Sequence, residues 1–126
     1  GQPDTFDAAL AARLGPLTNV RFRSVLTARP RAVLEADPEG RHVHWFSTHF
    51  SGYDRRKHDA GLAHYLPVNL GEVPDYYRRF IDPPDIVVFK TAPMDERGFF
   101  NFGPNTLWMR ALVERGKTVI VEETSN

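Results

Sequence analysis

Three histidines, His42, His44 and His49, stand close together in the chain. Residues two apart on a strand point to one face, so His42 and His44 could share a metal ion. No carboxylate stands at ligand spacing beside them, so imidazoles bonded to backbone or water at a strand edge are the better reading, and no metal is expected. Asp54 and His58 fall one helical turn apart, a spacing that equally suits a surface pair. A Ser-His-Asp set can be drawn on paper from Ser47 or Ser51, as in any chain rich in these residues, and it is not adopted. The basic run Arg55-Arg56-Lys57 could meet a phosphate at a helix start, although a solvated helix face accounts for it more simply. "DYYRRF" pairs aromatic with basic residues, as single-strand nucleic-acid binders do. At helical spacing, however, Tyr76 and Phe80 share a face suited to a core while Arg78 and Arg79 point outward. There is no Gly-rich dinucleotide fingerprint, P-loop, Gly-x-Ser-x-Gly elbow or His-Glu-x-x-His pair.

The remaining candidate is "KTAPMDERGFFNFGPN", residues 90–105. A Pro-Met-Asp-Glu-Arg-Gly turn breaks an apolar run, and Phe99, Phe100 and Phe102 follow. Turns are normally polar. Gly98 and Gly103 permit backbone turns and close approach that other residues resist. Three phenylalanines in such a loop suit a cover over a bulky ligand, a surface buried under another domain, or a fold back onto the chain's own core.

The elements that must position this loop alternate between helix and strand. A short helix is read over residues 6–14, ended by Gly15-Pro16. Alternation in "VRFRSVL" predicts a strand over 20–26, and a second strand follows at 42–47. A helix over 54–62 leads into a strand at 64–68, and a further helix covers "NLGEVPDYYRRF". "DIVVFK", 85–90, is a continuous apolar run between prolines, the pattern of a central strand covered on both faces. "PNTLWMRALVERG" reads as a helix with Pro104 in its first turn and Leu107, Ala111 and Leu112 on one side. "KTVIVEE", 117–123, is another buried strand. Strand, helix, strand in this order implies right-handed crossovers. The fold class expected is α/β: a mostly parallel open sheet with flanking helices, in a single domain over 1–126. The loop at 90–105 then leaves the carboxyl end of the central strand, where open α/β sheets place ligands.

Composition sets the outer limits. The chain of 126 residues has 16 Lys plus Arg against 16 Asp plus Glu, so no net charge draws it to nucleic acid or an anionic membrane. The absence of cysteine excludes disulfides, thiolate metal sites and a cysteine nucleophile together. No apolar run approaches the roughly 20 residues of a membrane helix. The expectation is a cytoplasmic protein with neither nucleic acid nor membrane as partner. Because the chain opens in a helix and stops just past a buried strand, a piece of a longer polypeptide is also expected.

"HYLPVNLGEVPDYYRRF" and "PPDIVVFKTAPMDERGFFNFG", then an amphipathic helix and "KTVIVEE", resemble the N-terminal domain of the acetyl-CoA hydrolase/transferase family, which includes the 4-hydroxybutyrate, butyrate and succinate CoA-transferases. Tyr65 and Pro67 match the family's Tyr-x-Pro strand, Glu72 and Pro74 its Ser-Glu-x-Pro turn, and Asp85 its buried strand. Pro93, Asp95, Gly98 and Gly103 match its Pro-x-Asp-x-x-Gly loop, while Arg55, with Gly61 six residues on, matches the arginine that opens the preceding helix. Gly71 replaces the family's frequent serine, and residues 101–103 and 107–108 also depart from its pattern.

The resemblance implies coenzyme A as substrate, no metal, and CoA exchange between an acyl-CoA and a short carboxylic acid through a glutamyl-CoA thioester. Hydrolysis would result if water replaced the acceptor acid. It also implies that the attacking glutamate lies in a second α/β half outside this chain. Neither Glu122 nor Glu123 matches its motif, so this segment is expected to hold no catalytic residue and to be inactive alone. The full-length protein is expected to be a homo-oligomer. Substrate binding is expected at Pro93, Asp95, Gly98, Phe100, Asn101, Gly103 and Asn105. A non-catalytic half of a two-chain CoA-transferase and a sugar-phosphate-binding domain of similar architecture are the alternatives.

Overall fold

The computed structural model describes residues 2–103 and 106–124. They fall into two compact units, Asp7–Val68 and Gly1–Phe6 with Asn69–Asn126. Helix α1, Asp4–Ala11, opens the chain.

In the first unit β1 (Val20–Ser24), β2 (Val43–Ser47) and β3 (Ala63–Tyr65) form a parallel sheet in the order β1-β2-β3. The alternation in β1 turns Phe22 inward, where it stacks on Trp45 at 5.1 Å. Val43, Trp45 and Ala63 pack with Leu14, Val33, Leu34 and Tyr53 into the core. Val33 and Leu34 come from α2, Ala32–Glu35, a single turn that the spacing of residues 27–41 does not predict.

Buried carboxylates organise the connections. Asp37 accepts from the backbone N–H groups of Arg41, His42 and Val43 at 2.8–2.9 Å, which turns the chain into β2. Burial raises its carboxyl, and the N–H donors of His42, Val43 and Arg41 outweigh this and hold it below the ordinary aspartate value. Helix α3, Gly52–Asp59, begins two residues earlier than its sequence suggests, because Ser51 and Asp54 form a reciprocal capping box. Asp54 is therefore not the partner of His58, whose Nδ1 lies 2.7 Å from the Ala63 carbonyl. Ser51 is likewise committed to its cap.

The second unit holds a 3-10 turn at Leu70–Glu72, α4 (Val73–Arg79), β4 (Ile86–Thr91), α5 (Met109–Arg115) and β5 (Thr118–Glu123). β4 and β5 pair in parallel, from Ile86 opposite Thr118 to Thr91 opposite Glu123. The α/β class and parallel pairing agree with expectation, but three details differ. Val73 and Tyr77 are the buried stripe of α4, whereas Tyr76 and Phe80 stack edge to face on the outside, Phe80 73% exposed. Both pairs are four residues apart, so spacing alone did not tell them apart. β4 buries only Val87, Phe89 and Thr91, one face of the strand, and leaves Ile86 exposed; β5 buries none of its residues. At α5 and the residues that lead into it, Trp108 and Ala111 turn inward while Leu107 is exposed. Pro104, expected in the first turn of this helix, lies outside the described residues.

Candidate ligand loop at the end of β4

β4 delivers the chain to the loop through Thr91, which is buried while its hydroxyl finds no partner among the described residues. This polar group at the strand's carboxyl end was not singled out by sequence reasoning, and inward alternation from Val87 was the available signal. Beyond it Asp95 ties the turn to itself. Its Oδ1 accepts from the N–H groups of Arg97 at 2.9 Å and Phe99 at 2.8 Å. Its backbone N–H donates to the Phe99 carbonyl at 2.9 Å, and its carbonyl accepts from Gly98 at 3.0 Å. Gly98 has φ of 84°, which a side chain would resist. Asp95 thus shapes the loop with its carboxylate, as short acidic side chains do in Asx turns.

The pinned turn presents its aromatic residues unequally. Phe102 folds back against Phe89 of β4, ring centroids 5.4 Å apart. Phe99 is 68% exposed, and Phe100 and Met94 are exposed beside it. Asn101 accepts from Gly103 N–H at 2.7 Å, which uses its carbonyl oxygen and leaves its amide N–H groups as donors. Pro93, Asp95, Phe99, Phe100, Asn101, Phe102 and Thr106 line an open cleft of about 430 Å³. Of the expected binding residues, Pro93, Asp95, Phe100 and Asn101 border this cleft, Gly98 and Gly103 lie in the same loop, and Asn105 is outside the described residues. Of the three phenylalanines only Phe102 takes the fold-back role.

The acidic end of β5 has another task. Glu122 stands opposite Lys90 in the β4–β5 register and accepts from the N–H groups of Asp4 at 2.9 Å and Phe6 at 3.0 Å. These are first-turn donors of α1, which lack intrahelical partners, and a carboxylate there also complements the helix dipole. Lys90 Nζ lies 3.3 Å from Glu122 and 2.8 Å from Asp4. Burial raises the Glu122 carboxyl, and the Phe6 and Asp4 N–H groups with Lys90 outweigh that, so it ionises below the ordinary range. A depressed folded-state pKa stabilises the protein above the unfolded glutamate value and ceases to as pH falls through the folded one. Glu122→Gln should cost about 1 kcal/mol at pH 7, with the difference from wild type shrinking as pH falls below the ordinary glutamate range. Urea midpoints followed from neutral into acidic pH check this; a deficit that does not change with pH would refute the linkage.

Among the described residues no cluster of three His, Asp or Glu side chains is arranged to hold a metal ion. His42 Nδ1 lies 2.6 Å from the Leu17 carbonyl. No described helix is long and apolar enough to cross a membrane.

Comparison with known proteins places this architecture. The chain is 38% identical over 124 residues to a butyryl-CoA:acetate CoA-transferase of Anaerostipes caccae, covering 98% of this chain and 28% of that protein. It is 33% identical over 117 residues to a probable butyrate:acetyl-CoA coenzyme A-transferase of Syntrophomonas wolfei, covering 93% of this chain and 26% of the relative. It thus spans little more than a quarter of either. Among solved structures, RipA from Yersinia pestis superposes with a TM-score of 0.79 at 20% identity, over 98% of this chain and 31% of that one. The 4-hydroxybutyrate CoA-transferase from Porphyromonas gingivalis gives 0.57 at 19% identity, over 93% and 32%. At these identities the two structures support the fold alone. The family model of the acetyl-CoA hydrolase/transferase N-terminal domain matches residues 1–126, and the chain belongs to that family.

Proposed function

We propose that this chain is the N-terminal part of an enzyme that exchanges CoA between an acyl-CoA and a short carboxylic acid, with its loop at residues 90–105 forming one wall of the cleft. The observation that carries the reading is the self-pinned turn that holds Phe99 and Phe100 outward at the carboxyl end of a parallel strand, in a chain of this family. Exposed aromatic groups on a fixed loop suit a cover that keeps water from a thioester, and water exclusion is what separates transfer from hydrolysis.

The chemistry consistent with this reading uses a glutamate outside these residues. Its carboxylate oxygen attacks the thioester carbonyl and expels CoA thiolate, giving an acyl-glutamyl anhydride. The thiolate then attacks the glutamyl carbonyl, releasing the first acid and leaving a glutamyl-CoA thioester. A second carboxylate repeats the two steps in reverse and leaves with CoA. In this scheme the backbone near Gly98 and Gly103 permits close approach, the Asn101 amide donates to a substrate oxygen, Phe100 and Pro93 bound the acyl side, and Asp95 fixes the loop. Asn105 completes the set.

The test is CoA exchange by the full-length protein between acetyl- or butyryl-CoA and a panel of short carboxylic acids. Exchange is expected, with none from these 126 residues alone. Asp95→Ala in the full-length protein should lower kcat/KM about tenfold, because a loosened loop misplaces the groups it carries. Absence of both exchange and thioester hydrolysis across the panel would defeat the proposal.

A further inference from the structure

Among the described residues, three buried side-chain polar atoms lack a hydrogen-bond partner: the Trp45 indole nitrogen and the hydroxyls of Thr48 and Thr91. Trp45 sits in the core against Phe22. The two hydroxyls share a different place in the fold. Thr48 directly follows β2 and Thr91 is the last residue of β4, so each stands at the carboxyl end of a parallel strand, where sheets of this class receive ligands. Thr48 is half-buried, whereas Thr91 is only 3% exposed. Buried hydroxyls in folded proteins are nearly always bonded, and a group left open at a cost in stability calls for a use in function.

The rest of Thr91 is fixed. Its carbonyl accepts from the Thr124 N–H at 3.0 Å, and its backbone lies opposite Glu123 in the β4–β5 register. A β-branched side chain on such a strand has few rotamers open to it. The surroundings are apolar: Val87 and Phe89 share this face of β4, and Phe102 packs on Phe89. The chain's own atoms enclose the hydroxyl oxygen, so no segment outside these residues can supply its bond in this arrangement. Access therefore lies with the loop. Asp95 ties residues 95–99 together, but residues 100–103 meet β4 through the Phe102 ring alone among the contacts described above. A partner for the hydroxyl enters where that ring lifts from Phe89.

We propose that Thr91 is a substrate-binding residue, whose hydroxyl donates to the thioester carbonyl oxygen of the acyl-CoA once Phe102 moves off Phe89. This inference rests on the CoA-exchange reading above. A thioester carbonyl arrives neutral and gains charge only under attack, whereas a carboxylate would bring a full charge among Val87, Phe89 and Phe102 with one donor to meet it. A held donor in a dry site contributes most where charge develops during the reaction. Because Thr91 makes no side-chain bond in the free protein, none has to be broken when the substrate arrives.

The full-length protein is compared with its Thr91→Val and Thr91→Ser variants in CoA exchange, using acetyl-CoA and butyryl-CoA, and in urea unfolding. Valine keeps the shape and removes the hydroxyl. It should lower kcat/KM about tenfold or more with both acyl-CoAs, since both present the same carbonyl. Its urea midpoint should stay at or above that of wild type, because no bond of the free protein is lost. Serine keeps the hydroxyl but loses a buried methyl group, so that variant should unfold at lower urea yet retain most of the activity. Activity and stability then move in opposite directions, which a purely structural role would not produce. Undiminished kcat/KM in Thr91→Val, with exchange by wild type, would overturn this inference and leave the CoA-exchange reading standing; no exchange by wild type would defeat both. A lowered urea midpoint for Thr91→Val would mean that the hydroxyl is bonded in the free protein, and a loss confined to butyryl-CoA would place it against the acyl chain. Either result would overturn the proposal.

Discussion

Asp54→Ala is expected to destabilise the protein by about 3–4 kcal/mol, more than any ordinary surface change. Asp54 is fully buried, and its two oxygens serve four donors. Oδ2 accepts from Ser51 N at 2.9 Å, Ser51 Oγ at 2.9 Å and Thr27 N at 3.1 Å, while Oδ1 accepts from Thr27 Oγ1 at 2.6 Å. Thr27 is itself fully buried, so alanine would leave its N–H and hydroxyl without an acceptor. An unsatisfied buried donor costs about 1–3 kcal/mol, and loss of the helix cap adds about 1 kcal/mol. Asp54→Asn keeps the shape but turns one acceptor into a donor facing other donors, so it should recover less than half of the loss. Thr27→Val in the Asp54→Ala background removes the orphaned hydroxyl and should restore part of the stability. Urea unfolding of the four proteins decides the matter. If Asp54→Ala costs no more than an ordinary cap, about 1 kcal/mol, the link to Thr27 contributes nothing.

That residue also shows what sequence can and cannot convey. "SGYD" at 51–54 is a capping-box pattern, so the helix start was present in the sequence; the carboxylate's second partner, 27 residues away, was not. Periodicity in β1 and the order of strands and helices gave the α/β class, because alternation and crossover handedness are local or nearly so. An apolar run such as "DIVVFK" conveys apolarity but not which faces are covered, and β4 covers one. Likewise Tyr76 and Phe80 obey the same four-residue rule as Val73 and Tyr77, and only the packing of α4 beside α5 decides which pair is buried. The loop was legible as a loop, since Asp95 and Gly98 each perform the turn chemistry their types suggest. The aromatic residues were not: three similar phenylalanines take up different exposures, because only Phe102 reaches Phe89.

The contact between α5 and β4 carries a second large expected effect. Gly116 follows α5 with φ of −67°, an ordinary backbone value, so the residue is not there for conformational freedom. A Cβ at this position would stand 2.5 Å from Val87 Cγ2 and 3.1 Å from the Leu112 carbonyl oxygen. Val87 is buried and β-branched, so its methyl group cannot turn aside without leaving its preferred rotamer. The Gly116 N–H donates to Leu112 O at 2.7 Å, and the next residue's N–H donates to the Pro84 carbonyl at 3.1 Å, so the backbone is tethered from both sides. Overpacking of this kind costs about 1–3 kcal/mol, and with two fixed neighbours Gly116→Ala belongs at the upper end. Against this, alanine lowers the unfolded chain's entropy and returns about 0.4–1 kcal/mol, since the native φ suits it. The steric term is larger, and the net sign is destabilising. Val87→Ala removes the clashing methyl groups but opens a gap of its own, so each single change should destabilise the protein while the pair is less harmful than their sum by at least about 1 kcal/mol. Additive losses in the double-mutant cycle would mean that the strain does not arise at Val87, and that the glycine is required for the turn into β5.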